Sequence, residues 1–463
     1  MHLPRALKPF ATGQYRLLVL ALTLSLFGTG VWLVAVVWQV IELGGTPIDL
    51  SVVATGGSIG LLLAVLLGGV AADRIPQKRI LVAVETLKTL AMAAMAVLAL
   101  TGMIEVWHLA VVAFLLGIAD GFFYPAYSAW LPALLPADDL LAANGIEGVL
   151  RPAIMQAAGP AAASAAIAIL SPGLGFAIVA VTQGLGAIGI ALMKLTPVRR
   201  EPDAEPMHPL RAVWVDVRDG VKYMLVTRWL LATLLYSAVL ILVIMGPIEV
   251  LLPFAVRDQT GGGAGAFALA LAAFGIGGAA GSLVVASLRL PKRYLTIMIA
   301  AWGLGCAPLA IIGFTDLLWL MVIALFVCGF LFSGATVIWG TLLQRRVPPA
   351  MLGRVSSLDF FVSLLLMPVS MALAGPVGAW IGIPMAFLIA GLVPVVLAAL
   401  TLLIARLGPD ELAHPLDADD QQPESPSEVV TGPAVSAGFQ APADEPRGAR
   451  EPESSRGERH DSA

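Results

Sequence analysis

Apolar residues along this chain do not alternate with polar ones; they gather into long runs separated by short polar links. Twelve such runs stand out, at about 17–41, 51–72, 80–102, 107–129, 144–169 and 173–195 in the first half of the chain. In the second half they lie at about 229–255, 265–288, 294–314, 317–339, 357–380 and 383–405. A helix crossing about 30 Å of hydrocarbon needs roughly 20 apolar residues. In lipid only helices and closed barrels satisfy every backbone group. Barrel strands are about ten residues long and alternate in polarity, and these runs do neither. The pattern predicts an all-α membrane protein of about twelve transmembrane helices.

Composition strengthens this picture. The 463 residues are 59% hydrophobic and 13% charged, against about 45–50% apolar and about 25% charged in soluble domains. The distribution of charge then orients the chain. With the N-terminus placed in the cytoplasm, twenty Lys and Arg residues fall in the inner loops and a single one, Arg257, in an outer loop. Cytoplasmic Lys/Arg excess sets topology, so a multi-pass protein of the cell (inner) membrane with both termini cytoplasmic is expected. Trp38, Trp107, Trp319 and Trp380 are expected at the outer interface, and Trp130, Trp229 and Trp339 at the inner one. The first run is too long for the apolar region of a cleavable signal peptide. Cys306 and Cys328 lie inside apolar runs, without disulfide or metal-ligand spacing.

These features divide the chain into a cytoplasmic N-terminus (1–16), a six-helix half (17–195), a cytoplasmic linker (196–228), a second six-helix half (229–405) and a tail (406–463). Between Leu210 and Leu225 the linker carries apolar residues at steps of three and four, the period of an amphipathic helix, here expected on the cytoplasmic membrane face. The tail is rich in Pro, Ser, Asp, Glu and Gly, a composition that reads as disordered. The two halves echo each other. Ala158-Gly159-Pro160 recurs as Ala374-Gly375-Pro376, and the basic turn from Arg74 to Arg79 recurs loosely as Arg289 to Arg293. Leu135-Pro136 to Asn144 matches the link that opens with Val347-Pro348. All three echoes fall at nearly the same spacing along the chain. Nearly equal offsets point to a duplicated six-helix unit, a parallel-repeat plan found in transporters.

The most specific local motif follows the second run: Gly69-Val-Ala-Ala-Asp73-Arg74-Ile-Pro76-Gln-Lys78-Arg79. It resembles the major facilitator signature G-x-x-x-D-R-x-G-[RK]-[RK], with Pro76 where that family carries glycine. Gly69 is expected to let a neighbouring helix approach closely. Asp73, at a helix end, is expected to pair with a basic residue or a helix N-terminus of the other half, and Lys78 and Arg79 to hold the turn inside. In the fifth run, Gln156 to Ser164 contains Gly159-Pro160 and resembles the G-x-x-x-G-P-x-x-x-G motif that the family associates with export. Met155 and Ala163 replace its flanking glycines. Small-residue helix packing accounts for this stretch equally well. Further stretches, from Phe114 to Ala126, Leu131 to Asn144, Leu251 to Asp258 and Leu343 to Val355, resemble the branch containing the enterobactin exporter and drug-efflux relatives. The resemblance spans about residues 15–405 and implies two six-helix halves around a central cavity that work by alternating access.

Ionisable residues inside the runs are rare and mark function. Glu85 and Lys88, one turn apart, and Glu147 and Arg151, four apart, read as candidate charge pairs near the cytoplasmic surface. Asp120 and Glu249 have no partner nearby in sequence, which makes them candidates for proton coupling; a packing role for Asp120, with water or Arg151 as partner, is the alternative. No phosphate loop, nucleophile–base pair or metal set is visible, so no cofactor, nucleic acid or enzyme chemistry is expected. The partners expected are the lipid bilayer, protons and a small-molecule substrate. The reading reached is proton-driven export of a hydrophobic or amphipathic small molecule, such as a drug, siderophore or secondary metabolite. A lysophospholipid or metabolite facilitator of the same fold, and a sensor or scaffold that transports nothing, remain alternatives.

Overall fold

A computed structural model describes residues 5–195, 218 and 220–416. Among these are twelve helices long and apolar enough to cross a membrane, matching the twelve runs. They are α1 (Gly13–Glu42), α2 (Pro47–Arg74), α3 (Gln77–Leu100), α4 (Val106–Leu134), α5 (Ala142–Ile169) and α6 (Pro172–Ala191) in the first half. The second half has α7 (Arg228–Thr260), α8 (Ala264–Ser287), α9 (Tyr294–Ile312), α10 (Leu318–Arg346), α11 (Arg354–Ile381) and α12 (Ile383–Ile404). Local chemistry sets the turns. At the start of α2, Pro47 takes the first helical position and the Asp49 carboxylate accepts hydrogen bonds from Thr46 N (2.7 Å) and Thr46 Oγ1 (2.8 Å).

Small residues pack the helices where lipid offers no hydrophobic drive. A side chain on Gly60 or Gly68 of α2 would collide with the backbone of Phe114 or Gly121 on α4. The second half repeats this seam, with Gly277 and Gly281 of α8 against Phe326 and Phe330 of α10. The duplication shows again where α1 crosses α5 and α7 crosses α11. Gly30 abuts the backbone of Met155, and Gly246, its counterpart in the second half, abuts that of Ser370.

The halves are welded at the end away from the basic loops. There Gly375 N donates to Ser51 Oγ (2.7 Å), and Trp38 stacks on Phe267 with centroids 5.9 Å apart. One apolar core joins both halves at that end, whereas the core at the basic end of the first half, around Tyr15, Leu81, Trp130 and Met193, contains only first-half residues. The described apolar core at the basic end of the first half is thus separate from the core that joins the halves.

Two expectations need correction. Trp107, Trp319 and Trp380 are exposed as an interfacial belt requires, but Trp38, Trp130, Trp229 and Trp339 are all buried and belong to the core. Trp229 and Trp339 meet edge to face at 6.1 Å, so aromatic packing claims them before the interface can. The tail boundary also moves. Residues 407–413 form a further helix, α13 (Leu407–Ala413), whose Glu411 is fully buried, so the folded body continues to residue 416. Of the linker helix expected over 210–225, the structure describes Arg218 and residues 220–226, which are helical. Gly220 lies against Leu358 of α11 and Met224 is buried, so one face of this part docks on protein, while Val221, Leu225 and Val226 are exposed; residues 196–217 and 219 lie outside the described residues, as do 417–463.

The charge split carries a direct test of orientation. Cys306 and Cys328 are buried, so an introduced cysteine reports without background. Asp258→Cys, beside Arg257, is expected to react with a membrane-impermeant thiol reagent in intact cells, and Arg79→Cys to react only after permeabilisation. The opposite pattern would invert the topology.

Candidate functional site

A cavity of about 360 Å³ lies between the halves, lined by α1, α2, α3, α4, α5 and α6 on one side and α7, α8 and α11 on the other. Its walls are largely apolar and include Trp32, Phe267, Phe274, Met155, Met367 and Met371. Methionine and aromatic rings suit ligands of varied shape, because the thioether is flexible and polarisable. Among the described lining residues only Lys88, Asp120 and Glu249 carry charge.

Proline bends the backbone where it meets this space. Arg151–Ala158 in α5 and Pro247–Leu251 in α7 are wide π-helical turns flanked by Pro152 and Pro160 and by Pro247 and Pro253. A proline has no N–H for the carbonyl four residues back, and the helix widens around that gap. These turns present Gln156 and Glu249 to the cavity. In α11, Leu366 interrupts the helix before Pro368, the counterpart of Pro152 in the repeat, next to the lining residue Met367. The prolines are plain in the sequence, but their consequence for cavity lining is not.

Asp120 is not isolated. Lys88 Nζ, halfway along α3, donates to Asp120 Oδ1 at 2.6 Å and stands 3.9 Å from Glu85 Oε1. It also lies 5.0 Å from the centre of the Phe123 ring. The expected Glu85–Lys88 pair thus becomes a cluster of three. It lies deep in the helix bundle instead of near the surface, with Glu85 0% and Lys88 3% exposed. Arg151, weighed as a partner for Asp120, instead bonds one oxygen of Glu147 through Nη2 (2.6 Å) and Nε (2.9 Å), and the Tyr124 hydroxyl at 3.2 Å. Glu249 faces the cavity and makes no hydrogen bond or ion pair among the described residues.

The motif residues divide. Lys78 Nζ donates to Met193 O at 2.5 Å, closing the end of α6, while Arg74 and Arg79 are exposed. The side chain of Asp73 lies outside the described residues. Gly69 does not carry the close approach expected of it. A Cβ there would meet nothing within 4 Å among the described residues, and the tight contact belongs to its neighbour Gly68. Gly159 and Pro160 pack on α1, where a side chain on Gly159 would lie 2.7 Å from Gly30 Cα.

Comparison with known proteins agrees with this architecture. The multidrug efflux pump Tap of Mycolicibacterium fortuitum is 28% identical over 424 residues, covering 87% of this chain and 98% of that protein. The enterobactin exporter EntS of Shigella flexneri is 27% identical over 378 residues, covering 79% and 85%. The crystal structure of the nucleoside transporter NupG superposes with a TM-score of 0.65 at 15% identity, covering 84% of this chain and 98% of that one, a likeness of fold alone. The model of the transmembrane secretion effector family matches residues 5–436. With its twelve helices in two repeated halves and a cavity between them, the chain belongs to the transmembrane secretion effector family of major facilitator transporters.

Proposed function

We propose that this protein exports a hydrophobic or amphipathic small molecule from the cytoplasm by alternating access, driven by proton influx. The observation that carries the reading is the cavity itself, apolar and methionine-rich with three charged groups among its described lining, lying between two halves whose shared apolar core is at the end away from the basic loops. Loading from the basic, cytoplasmic side suits that shape, and rocking of one half against the other exposes the cavity to the opposite side. The efflux activities named for the relatives point the same way. Both termini, the linker and the residues beyond 416 belong on the cytoplasmic side in this arrangement.

The test is efflux of a panel of lipophilic compounds from proteoliposomes, with and without an imposed pH gradient. Accumulation against a concentration gradient only when the pH gradient is present supports antiport. Equilibration alone would make the protein a facilitator, and no movement of any compound would remove the transport reading.

The motif after α2 has its own test. Asp73, at the basic end of α2, is proposed to help close the cytoplasmic side during the cycle. Asp73→Asn is expected to accumulate normally in the membrane yet transport at a tenth of the wild-type rate or less, a loss of about 1.4 kcal/mol or more from one step. Wild-type rates in that variant would remove the gating role.

A further inference from the structure

Glu85 lies behind the cavity wall, and its surroundings do not fit a permanently ionised carboxylate. Its side chain is fully buried. Oε1 accepts a hydrogen bond from Ser25 Oγ (2.9 Å), and Oε2 has no hydrogen-bond partner among the described residues. Around it, α1 presents Ser25, α6 presents Gly186, with Gln183 on the Ser25 carbonyl, and α4 presents Asp120. Among the described residues, the charged groups acting on Glu85 are Lys88 and Asp120, and the Tyr124 phenol is a further titratable group near Lys88.

Two carboxylates therefore share one ammonium, and that ammonium has committed itself to Asp120. Asp120 is one-third exposed, on the cavity side, while Glu85 has no access to the cavity. An ionised carboxylate without a close counter-charge is costly in an apolar interior, and the cost is avoided by binding a proton. We propose that Glu85, Lys88 and Asp120 form a one-proton site, in which Glu85 holds the proton while Lys88 is paired with Asp120. The proton changes place through Lys88: Nζ, 2.6 Å from Asp120 Oδ1 and 3.9 Å from Glu85 Oε1, gives one of its protons to Asp120, swings to Glu85 and takes the Glu85 proton in its place. Lys88 is an ammonium before and after. The proton now sits on Asp120, which faces the cavity, Glu85 is the carboxylate paired with Lys88, and the net charge of the cluster is unchanged. Assigning this exchange to the transport cycle rests on the antiport reading; the existence of the shared proton does not.

Infrared difference spectra of the full chain in liposomes, recorded at neutral pH, read protonated carboxyl groups directly. The wild type is expected to show one carboxylic C=O band that Glu85→Gln lacks. Asp120→Asn is also expected to lose it, because Lys88 then pairs with Glu85 and ionises it. Lys88→Gln is expected to gain a second such band, both acids then being without a counter-charge. A band unchanged in Glu85→Gln would place the proton elsewhere, and one unchanged in Asp120→Asn would break the link through Lys88. Because either acid variant alone is decisive, failure of one to fold leaves the test intact. If the bands behave as expected but efflux ignores the pH gradient, the antiport reading fails and the shared proton stands.

Discussion

Ending the chain after Arg406 is expected to destabilise the second half severely, whereas ending it after Leu416 is expected to leave expression and transport near wild type. The difference lies in what α13 does for the helices it touches. Glu411 accepts hydrogen bonds from Thr296 N (3.0 Å) and Thr296 Oγ1 (2.6 Å), satisfying one of the first amides of α9, which has no partner within its own helix. Asp410 pairs at 2.6 Å with Arg346, whose side chain is only 7% exposed. That guanidinium also lies over the rings of Trp229, at 4.6 Å, and Tyr294, at 5.9 Å. Tyr294 in turn donates to His414 O at 2.8 Å. One short helix thus ties the basic ends of α7, α9 and α10 together.

Each charge-assisted hydrogen bond removed costs about 1.5–3 kcal/mol. Removing α13 also leaves the buried Arg346 without its carboxylate, the more damaging half of breaking such a pair. Membrane-extracted protein ending after Arg406 should unfold at a markedly lower temperature, and Asp410→Ala should reproduce part of that shift. An unchanged melting temperature in both would show that α13 is an ornament on an already stable half.

Replacing Glu249 by glutamine is expected to abolish gradient-driven accumulation while leaving the fold and downhill exchange intact. Glu249 makes no hydrogen bond or ion pair among the described residues. Its replacement by an isosteric neutral side chain therefore strands no partner, and stability should move by no more than about 0.5 kcal/mol. Asp120→Asn is a less clean probe, because it also frees Lys88 to turn to Glu85. A coupling acid must gain and lose a proton within the cycle, and glutamine does neither. Uphill efflux should fall at least tenfold, with equilibration of the same compound preserved. If Glu249→Gln still pumps uphill, coupling belongs to the Glu85–Lys88–Asp120 cluster alone. If downhill movement is lost too, Glu249 serves substrate binding, because an occupied cavity is needed for exchange in either direction.

Helix number and duplication were legible in the sequence because lipid imposes its demands locally. Every stretch that crosses hydrocarbon must be apolar over its whole length, whatever it packs against, so α1 to α12 could be counted from their runs. The repeat was legible because its markers, such as Gly159-Pro160 and Gly375-Pro376, are backbone-altering residues whose effect does not depend on distant neighbours.

Choices among partners were not legible. Lys88 has Glu85 three residues away and Asp120 thirty-two away, and it bonds the distant one because α3 and α4 cross there and leave the nearer carboxylate facing α1 and α6. Hydropathy placed Trp130, Trp229 and Trp339 at helix ends, but packing between helices decides whether an end faces lipid or core. Likewise α13 is short and polar in composition, and only its contacts with Thr296 and Arg346 separate it from the segment that follows. The solvent and the number of spans could be read from the chain alone, since they follow from per-segment transfer energies, and the repeat from its glycine and proline markers. Which glycine carries the close approach, which carboxylate holds the lysine and which acid faces the cavity without a partner among the described residues emerge from the folded arrangement, since they depend on the relative rotation of helices that lie far apart in the chain.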